Sequence, residues 1–121
     1  MENIITSHKD LKIWKKAIDL VVRTYLITAN FPHEEKFGLV SQLRRASVSV
    51  ASNIAEGAGR KSTKEYINFL YISISSLAEL ETQYIIANKL NYLEDIDPII
   101  DEIKVIILMT NSIIKKLQAR L

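Results

Sequence analysis

The side chains that could hold a metal, activate a water or attack a carbonyl are few in this sequence and poorly spaced. His8 and His33 are its two histidines, and neither has a second ligand at the spacing a metal site needs. The paired Glu-x-x-His motifs by which a helical bundle holds two metal ions are absent. There is no cysteine, which excludes disulfides, thiolate metal sites and thiol nucleophiles. The serine-rich run from Ser47 to Ser52 has no Gly-x-Ser-x-Gly turn and no histidine placed as its base. Gly57 and Gly59, followed by Arg60-Lys61-Ser62-Thr63, look faintly like a phosphate loop, but the Walker spacing is missing and a helix rather than a strand precedes them. The expectation is therefore no enzyme, no metal, no cofactor and no small-molecule substrate.

What remains is charge placement. Arg60, Lys61 and Lys64 cluster at the turn into a helix, where free amides and the positive end of the helix dipole also favour an anion. A second set, Lys12, Lys15, Lys16 and Arg23, studs another helix, and Lys104, Lys115, Lys116 and Arg120 stud a third. Arg44 and Arg45 either join these basic patches or pair with Glu79 and Glu81 in a polar layer that fixes register. The formal net charge is only +2, so in a lone copy the same residues serve equally as a solvated polar face. Repetition in an oligomer would multiply each patch and turn weak sites into an avid one. No aromatic residue is interleaved with these cations, so any binding of RNA or DNA should be to phosphates, without sequence specificity and strongly salt-sensitive.

The elements that position these groups are helices. Three glycines and two prolines leave little turn chemistry for a β protein. Apolar residues recur every three or four positions over four segments, about 9–29, 35–56, 62–89 and 97–118. Ser7 with Asp10 fits a capping box for the first, which carries a stripe of Leu11, Trp14, Ile18, Val21 and Tyr25; Asn30-Phe31-Pro32 stops it. Leu39, Leu43, Ala46, Val50 and Ile54 form the stripe of the second, with Gly57 placed as a left-handed C-terminal cap and Gly59 as a second freely turning position. Ser62 with Glu65 is the capping box of the third, and Asp97-Pro98 caps and opens the fourth. Short connections fold four matched helices back on one another, so the expected fold is all-α, an antiparallel up-down-up-down four-helix bundle in one domain over residues 1–121. No apolar run is long enough for a signal peptide or a bilayer span, and the expected location is cytoplasmic, away from membranes.

Two helices are apolar on more sides than one bundle can cover. The third carries Tyr66, Phe69, Leu70, Leu77, Leu80 and Tyr84 on one stripe and Ile67, Tyr71, Ile74, Ala78 and Ile85 on another. The fourth sets Ile99, Ile103, Ile106, Ile113 and Leu117 against Val105, Leu108 and Met109. Ile67, Tyr71, Ile74, Val105, Leu108 and Met109 are thus the expected contacts with another copy, the alternative being irregular packing with scattered exposed apolar residues. Small residues in the second helix (Ala46, Ser47, Ser49, Ala51, Ser52 and Ala55) are expected to let helix axes approach closely.

Several of these residues also occur in a recognisable order. Trp14 and Ala17 are followed by Phe31-Pro32, Glu34 or Glu35, and Phe37-Gly38-Leu39. Then come Gln42-Leu43-Arg44-Arg45-Ala46, Asn53-Ile54-Ala55-Glu56-Gly57, Gly59-Arg60, Ser62, Glu65 and Ser76-Leu77-Ala78-Glu79-Leu80-Glu81-Thr82. From about Leu11 to Leu93 the chain resembles the four-helix-bundle family named after proteins encoded in 23S ribosomal RNA intervening sequences. The resemblance implies a barrel-like homopentamer. Look-alikes in the same family are accessory proteins of diversity-generating retroelements, whose basic barrels engage nucleic acid and a reverse transcriptase. Family members often read Ser-Ile-Pro where this chain has Ser49-Val50-Ala51-Ser52, so its second helix is expected to be straighter. The combined expectation is a homo-oligomeric scaffold, pentameric by resemblance, with RNA, DNA or a nucleic-acid enzyme as partner. Arg60, Lys61 and Lys64, then Arg44 and Arg45, are its binding residues; the competing reading is a protein-interaction scaffold with no nucleic-acid role.

Overall fold

The computed structural model describes residues 7–121. Four helices, α1 (Lys12–Thr28), α2 (Leu39–Ala58), α3 (Thr63–Lys89) and α4 (Asp97–Gln118), form an antiparallel up-down-up-down bundle. One short 3-10 turn (His8–Asp10) precedes α1 and another (His33–Glu35) precedes α2. Among the described residues there is no strand, and no helix is long and apolar enough to cross a membrane.

The closest packing joins α2 to α3. Ala46, Val50, Ala51 and Ile54 bury their small or branched side chains against Leu70, Leu77 and Leu80. Because these α2 residues are short, backbone comes within reach of side chains opposite. Ser73 Oγ donates to the Val50 carbonyl at 3.0 Å, and the Ser49 and Ser76 hydroxyls share a hydrogen bond of 2.8 Å. Gly57 is part of the same seam. It lies inside α2 and has no positive φ, so it is not the left-handed cap its position suggested. A methyl group there would lie 2.8 Å from Phe69 Cβ and 3.0 Å from Tyr66 Cδ1, so glycine is needed for close approach rather than for a turn. Gly59 likewise adopts an ordinary right-handed conformation.

Helix boundaries follow local chemistry. Ser62 Oγ accepts the Glu65 amide at 3.1 Å, the near half of a capping box. At the other end of α3, Asn91 takes a positive φ of 63°, and Asn88 Nδ2 donates to the Leu93 and Glu94 carbonyls. Asp97 is the first residue of α4 rather than its cap; the cap position is Ile96, and Asp95 Oδ1, one residue earlier, accepts the Asp97 amide at 3.0 Å. The second helix starts at Leu39, later than the expected position 35, because Glu35 ends a 3-10 turn and uses its Oε1 to accept the Leu39 amide. At the start of the chain Ser7 Oγ accepts the Lys9 amide, and α1 begins only at Lys12; the Asp10 side chain of the expected capping box lies outside the described residues.

The stripe of α1 is rotated by one residue from its expected phase. Ile13, Ala17, Leu20, Thr24 and Thr28 are buried, while Leu11, Trp14, Ile18 and Val21 are half-buried and Tyr25 is exposed. Two of the buried residues are threonines whose polar atoms are satisfied internally. Thr28 Oγ1 donates to the Thr24 carbonyl at 2.7 Å, and Thr24 Oγ1 accepts the fully buried Tyr84 hydroxyl at 2.7 Å. At the far end, Tyr92 stacks at a tilt on Phe31 (5.5 Å) and donates to Glu35 Oε2 at 2.8 Å, which ties the two connections together. That hydrogen bond to a carboxylate raises the Tyr92 phenol.

Two stability measurements follow. Gly57→Ala should lower the free energy of unfolding, measured in a denaturant melt, by about 1 kcal/mol or more, because overpacking at the seam outweighs the better helix propensity of alanine; a gain would show the seam can open. Burial pushes the Tyr84 hydroxyl up to about 12, so the folded state keeps its proton where the unfolded chain has lost it. This contribution is constant below pH 10 and is lost between pH 10 and about 12. Tyr84→Phe should cost about 1–2 kcal/mol at neutral pH and show a shallower alkaline decline than the wild-type chain.

Candidate functional site

The fold gathers the cations that the sequence scatters. Antiparallel packing brings together the start of α1, the turn from α2 to α3 and the end of α4. Lys9, Lys12, Arg60, Lys61, Lys64, Lys115, Lys116 and Arg120 therefore share one end of the bundle. The acidic side chains described at that end are fewer: Glu56 and Glu65. The opposite end holds Glu34, Glu35, Glu94, Asp95, Asp97 and Asp101, opposed by Lys36 and Lys89. α4, at 22 residues, spans about 33 Å, several times the Debye length of about 8 Å in physiological salt. The two ends therefore do not cancel one another, and the net charge of +2 conceals a strongly polarised molecule.

Within the basic end the cations differ in freedom. Arg60 lies over the Phe69 ring at 4.7 Å, and its Nη2 is 3.7 Å from Glu56 Oε2. Lys61 and Lys64 are exposed, beside the Thr63 and Lys64 amides that the α3 ladder leaves outside. On the neighbouring side a cleft of about 770 Å³ brings Lys12, Lys116 and Arg120 to one opening above Ile13, Ile113 and Leu117. Tyr66 is half-buried and Phe69 lies under Arg60, while the exposed Tyr71 borders this end, its hydroxyl 3.4 Å from Gln118 Nε2. The cations at this end are placed for contact with phosphates.

Arg44 and Arg45 are placed elsewhere, in the other half of α2, and both are engaged within the protomer. Arg44 Nε donates to Thr28 Oγ1 at 3.0 Å, and the guanidinium lies 4.4 Å from the Tyr25 ring centroid, tying α2 to α1. Arg45 Nη2 lies 3.1 Å from Glu79 Oε2 and donates to Gln42 Oε1 at 2.8 Å, which is the polar layer between α2 and α3 that the sequence left open. Arg23 of α1 is likewise committed, with Nε 3.0 Å from Glu102 Oε2.

The candidate assembly residues divide in the same way. Tyr71, Val105 and Leu108 are exposed, Leu108 by 69%. Ile74 and Met109 are half-buried against the core. Ile67, at 6%, is closed inside the protomer's own core and leaves the expected surface, because α3 turns that residue inward with Leu70. The structure adds Val22 and Leu26 on α1, Ile72, Ile85 and Ile86 on α3, Leu90 just past its end, and Phe37 between α1 and α2. Ile85 lay in the second stripe of the sequence; the α1 pair could have been found as apolar residues left over once Ile13, Ala17 and Leu20 claim the core. Among the described residues, no group of three or more histidines and carboxylates is arranged to hold a metal ion.

A family model described as 23S rRNA-intervening sequence protein matches residues 9–112. No curated protein matches the sequence. Among solved structures, the chain is similar to a protein of unknown function from the S23 ribosomal protein family of Bacteroides thetaiotaomicron. That match has a TM-score of 0.77 at 24% identity and covers 85% of this chain and 98% of the other. At that identity the likeness shows the shared fold.

The engaged and the free cations should separate by mutation. Arg44→Ala should cost about 1 kcal/mol through the lost bond to Thr28 and the lost packing on Tyr25. Lys61→Ala and Lys64→Ala should each stay within about 0.5 kcal/mol of the parent in thermal or denaturant melts. A comparable loss at either lysine would mean that it, too, holds the fold.

Proposed function

The chain belongs to the 23S rRNA-intervening sequence protein family, and we propose that it is a non-enzymatic, homo-oligomeric helical scaffold, pentameric in number, whose basic end binds nucleic acid or nucleoprotein without sequence specificity. The observation that carries this reading is the segregation of charge. A surface that concentrates lysine and arginine from three separate segments, with an α3 N-terminus beside it, suits a row of phosphates. Arg60, Lys61 and Lys64 are its central residues: they lie on one turn, and two of the three are unpaired in the structure described. One copy offers a small patch, so affinity depends on repetition. The exposed apolar residues of α1, α3 and α4 supply a reason for repetition, since their burial between copies is what an assembly would gain.

Light scattering coupled to size exclusion should give a mass near five times 13.8 kDa. Retention of labelled RNA or DNA should fall steeply and linearly as the logarithm of salt concentration rises. The combined change Arg60→Glu, Lys61→Glu and Lys64→Glu should abolish retention and leave the assembled mass unchanged. Retention that survives the triple change, or that ignores salt, removes the nucleic-acid role and leaves a protein-interaction scaffold. A monomeric mass removes the scaffold itself.

A further inference from the structure

We infer that the groove between the start of α1 and the end of α4 binds an anionic amphiphile, a molecule with an alkyl body and one carboxylate or phosphate head. The inference goes beyond the nucleic-acid reading and does not rest on it, because phosphates alone have no use for an apolar floor. The groove encloses about 770 Å³, within the range of small-molecule sites, which are mostly apolar with a few convergent polar groups. Ile13, Tyr66, Met109, Ile113 and Leu117 supply apolar lining from α1, α3 and α4. No carboxylate lines it among the described residues, in contrast to the smaller cleft between the same two helices, which Asp19, Asp101 and Glu102 line.

The register of α4 separates the two characters. Met109, Ile113 and Leu117 recur every fourth residue and form an apolar row about 12 Å long. Ser112, Lys116 and Arg120 form a parallel row beside it, neutral at its start and cationic at its end. Because α1 runs antiparallel to α4, Lys12 at the start of α1 is level with that cationic end and lines the same groove. None of the three cations has an ion pair among the described residues, so each is free to meet a ligand's charge.

Tyr66 adds an independent polar group. Its ring lies against Gly57 on the α2–α3 seam, its hydroxyl has no hydrogen bond among the described residues, and burial pushes the phenol above its ordinary value. A phenol that keeps its proton is a hydrogen-bond donor, the polarity that an anionic head requires. An alkyl body would displace water from the apolar row while Lys12, Lys116 and Arg120 hold the head. Neither half of such a ligand has this fit alone: a free anion leaves the floor wet, and a neutral chain gains nothing from the cations.

The chain has one tryptophan, Trp14, whose ring meets that of His8 at 5.1 Å, and His8 lines the groove, so tryptophan emission reports occupancy beside calorimetry. Decanoate titrated below its micelle concentration into the full-length protein should bind saturably. Decyl phosphate should behave alike, whereas acetate and inorganic phosphate should not saturate. Decanol should bind about tenfold more weakly or worse, and Lys116→Glu with Arg120→Glu should weaken decanoate by a similar factor, since each removes charge-assisted contacts. Ser112 is exposed and lines the groove, so Ser112→Phe should block binding while the thermal melt stays unchanged. Decanol that matches decanoate, or binding that survives either substitution, overturns the inference, as does a lack of saturation up to about 1 mM decanoate. Saturation found only in a chain carrying Ile4→Ser and Ile5→Ser also overturns it, by showing that the chain's own N-terminus fills the groove. Saturation found only after dilution to single copies does the same, by showing that a second copy fills it. None of these probes is a nucleic acid, so the groove and the nucleic-acid reading can fail separately.

Discussion

At Gly57 the axes of α2 and α3 run so close that a single added methyl would press on both Phe69 and Tyr66, and the rest of the bundle is arranged around that approach. The same seam continues through Val50 with Ser73, Ser49 with Ser76 and Arg45 with Glu79, an unbroken antiparallel register. Hydrogen bonds from side chain to backbone across a helix pair are available only when side chains are short, so the serines and alanines of α2 set distance and register together. With α2 and α3 fixed, the turn between them is fixed too, and Arg60, Lys61 and Lys64 are held at the bundle's end by packing rather than by contacts of their own. The longer side chains of α1 and α4 then close the remaining sides, and these two helices touch one another least of the neighbouring pairs. The cleft at Pro98, Val105 and Ile106 is the consequence of that looser closure.

Much of this was legible in the sequence, and the exceptions have physical causes. Breakers and caps marked the third and fourth helices to within a residue because Ser62, Asn91 and Pro98 act locally. The stripe of α2 was readable because its apolar residues stand out among small polar ones. The phase of α1 was not, since Trp14, Ile18, Val21, Val22, Tyr25 and Leu26 surround it with apolar groups while the core takes Ala17, Thr24 and Thr28. A threonine is chosen for burial when a partner such as Tyr84 waits opposite, and that partner lies 60 residues away in sequence. Gly57 misled for a related reason: a glycine near the end of a helix has the same local signature whether it turns the chain or admits a neighbour. The basic cluster was visible as residues but not as a surface, because its members belong to segments that only the antiparallel fold unites. Arg44 and Arg45 show the converse, adjacent in sequence to nothing acidic yet engaged in space.

Charge polarity has its own structural logic. An antiparallel bundle cancels helix dipoles in pairs, so neither end acquires a preference for one sign from the backbone. The segregation must therefore be carried by side chains, and it opposes the folded state by crowding like charges at each end. Fold stability does not require such an arrangement, because exposed lysines contribute little to it. Its most direct consequence is a local potential that salt screens and that polyanions seek.

A heterologous contact at equal height would link this polarity to assembly. Rotation about an axis parallel to the bundle leaves the direction of every helix unchanged, so each copy in a ring would present its basic end to the same side. The turns carrying Arg60, Lys61 and Lys64 would then form a single annulus, and the acidic ends another on the far face. A two-fold contact with antiparallel bundles would instead set basic ends on opposite faces and forfeit avidity toward one strand. The geometry of the apolar contact thus decides whether weak cations add up.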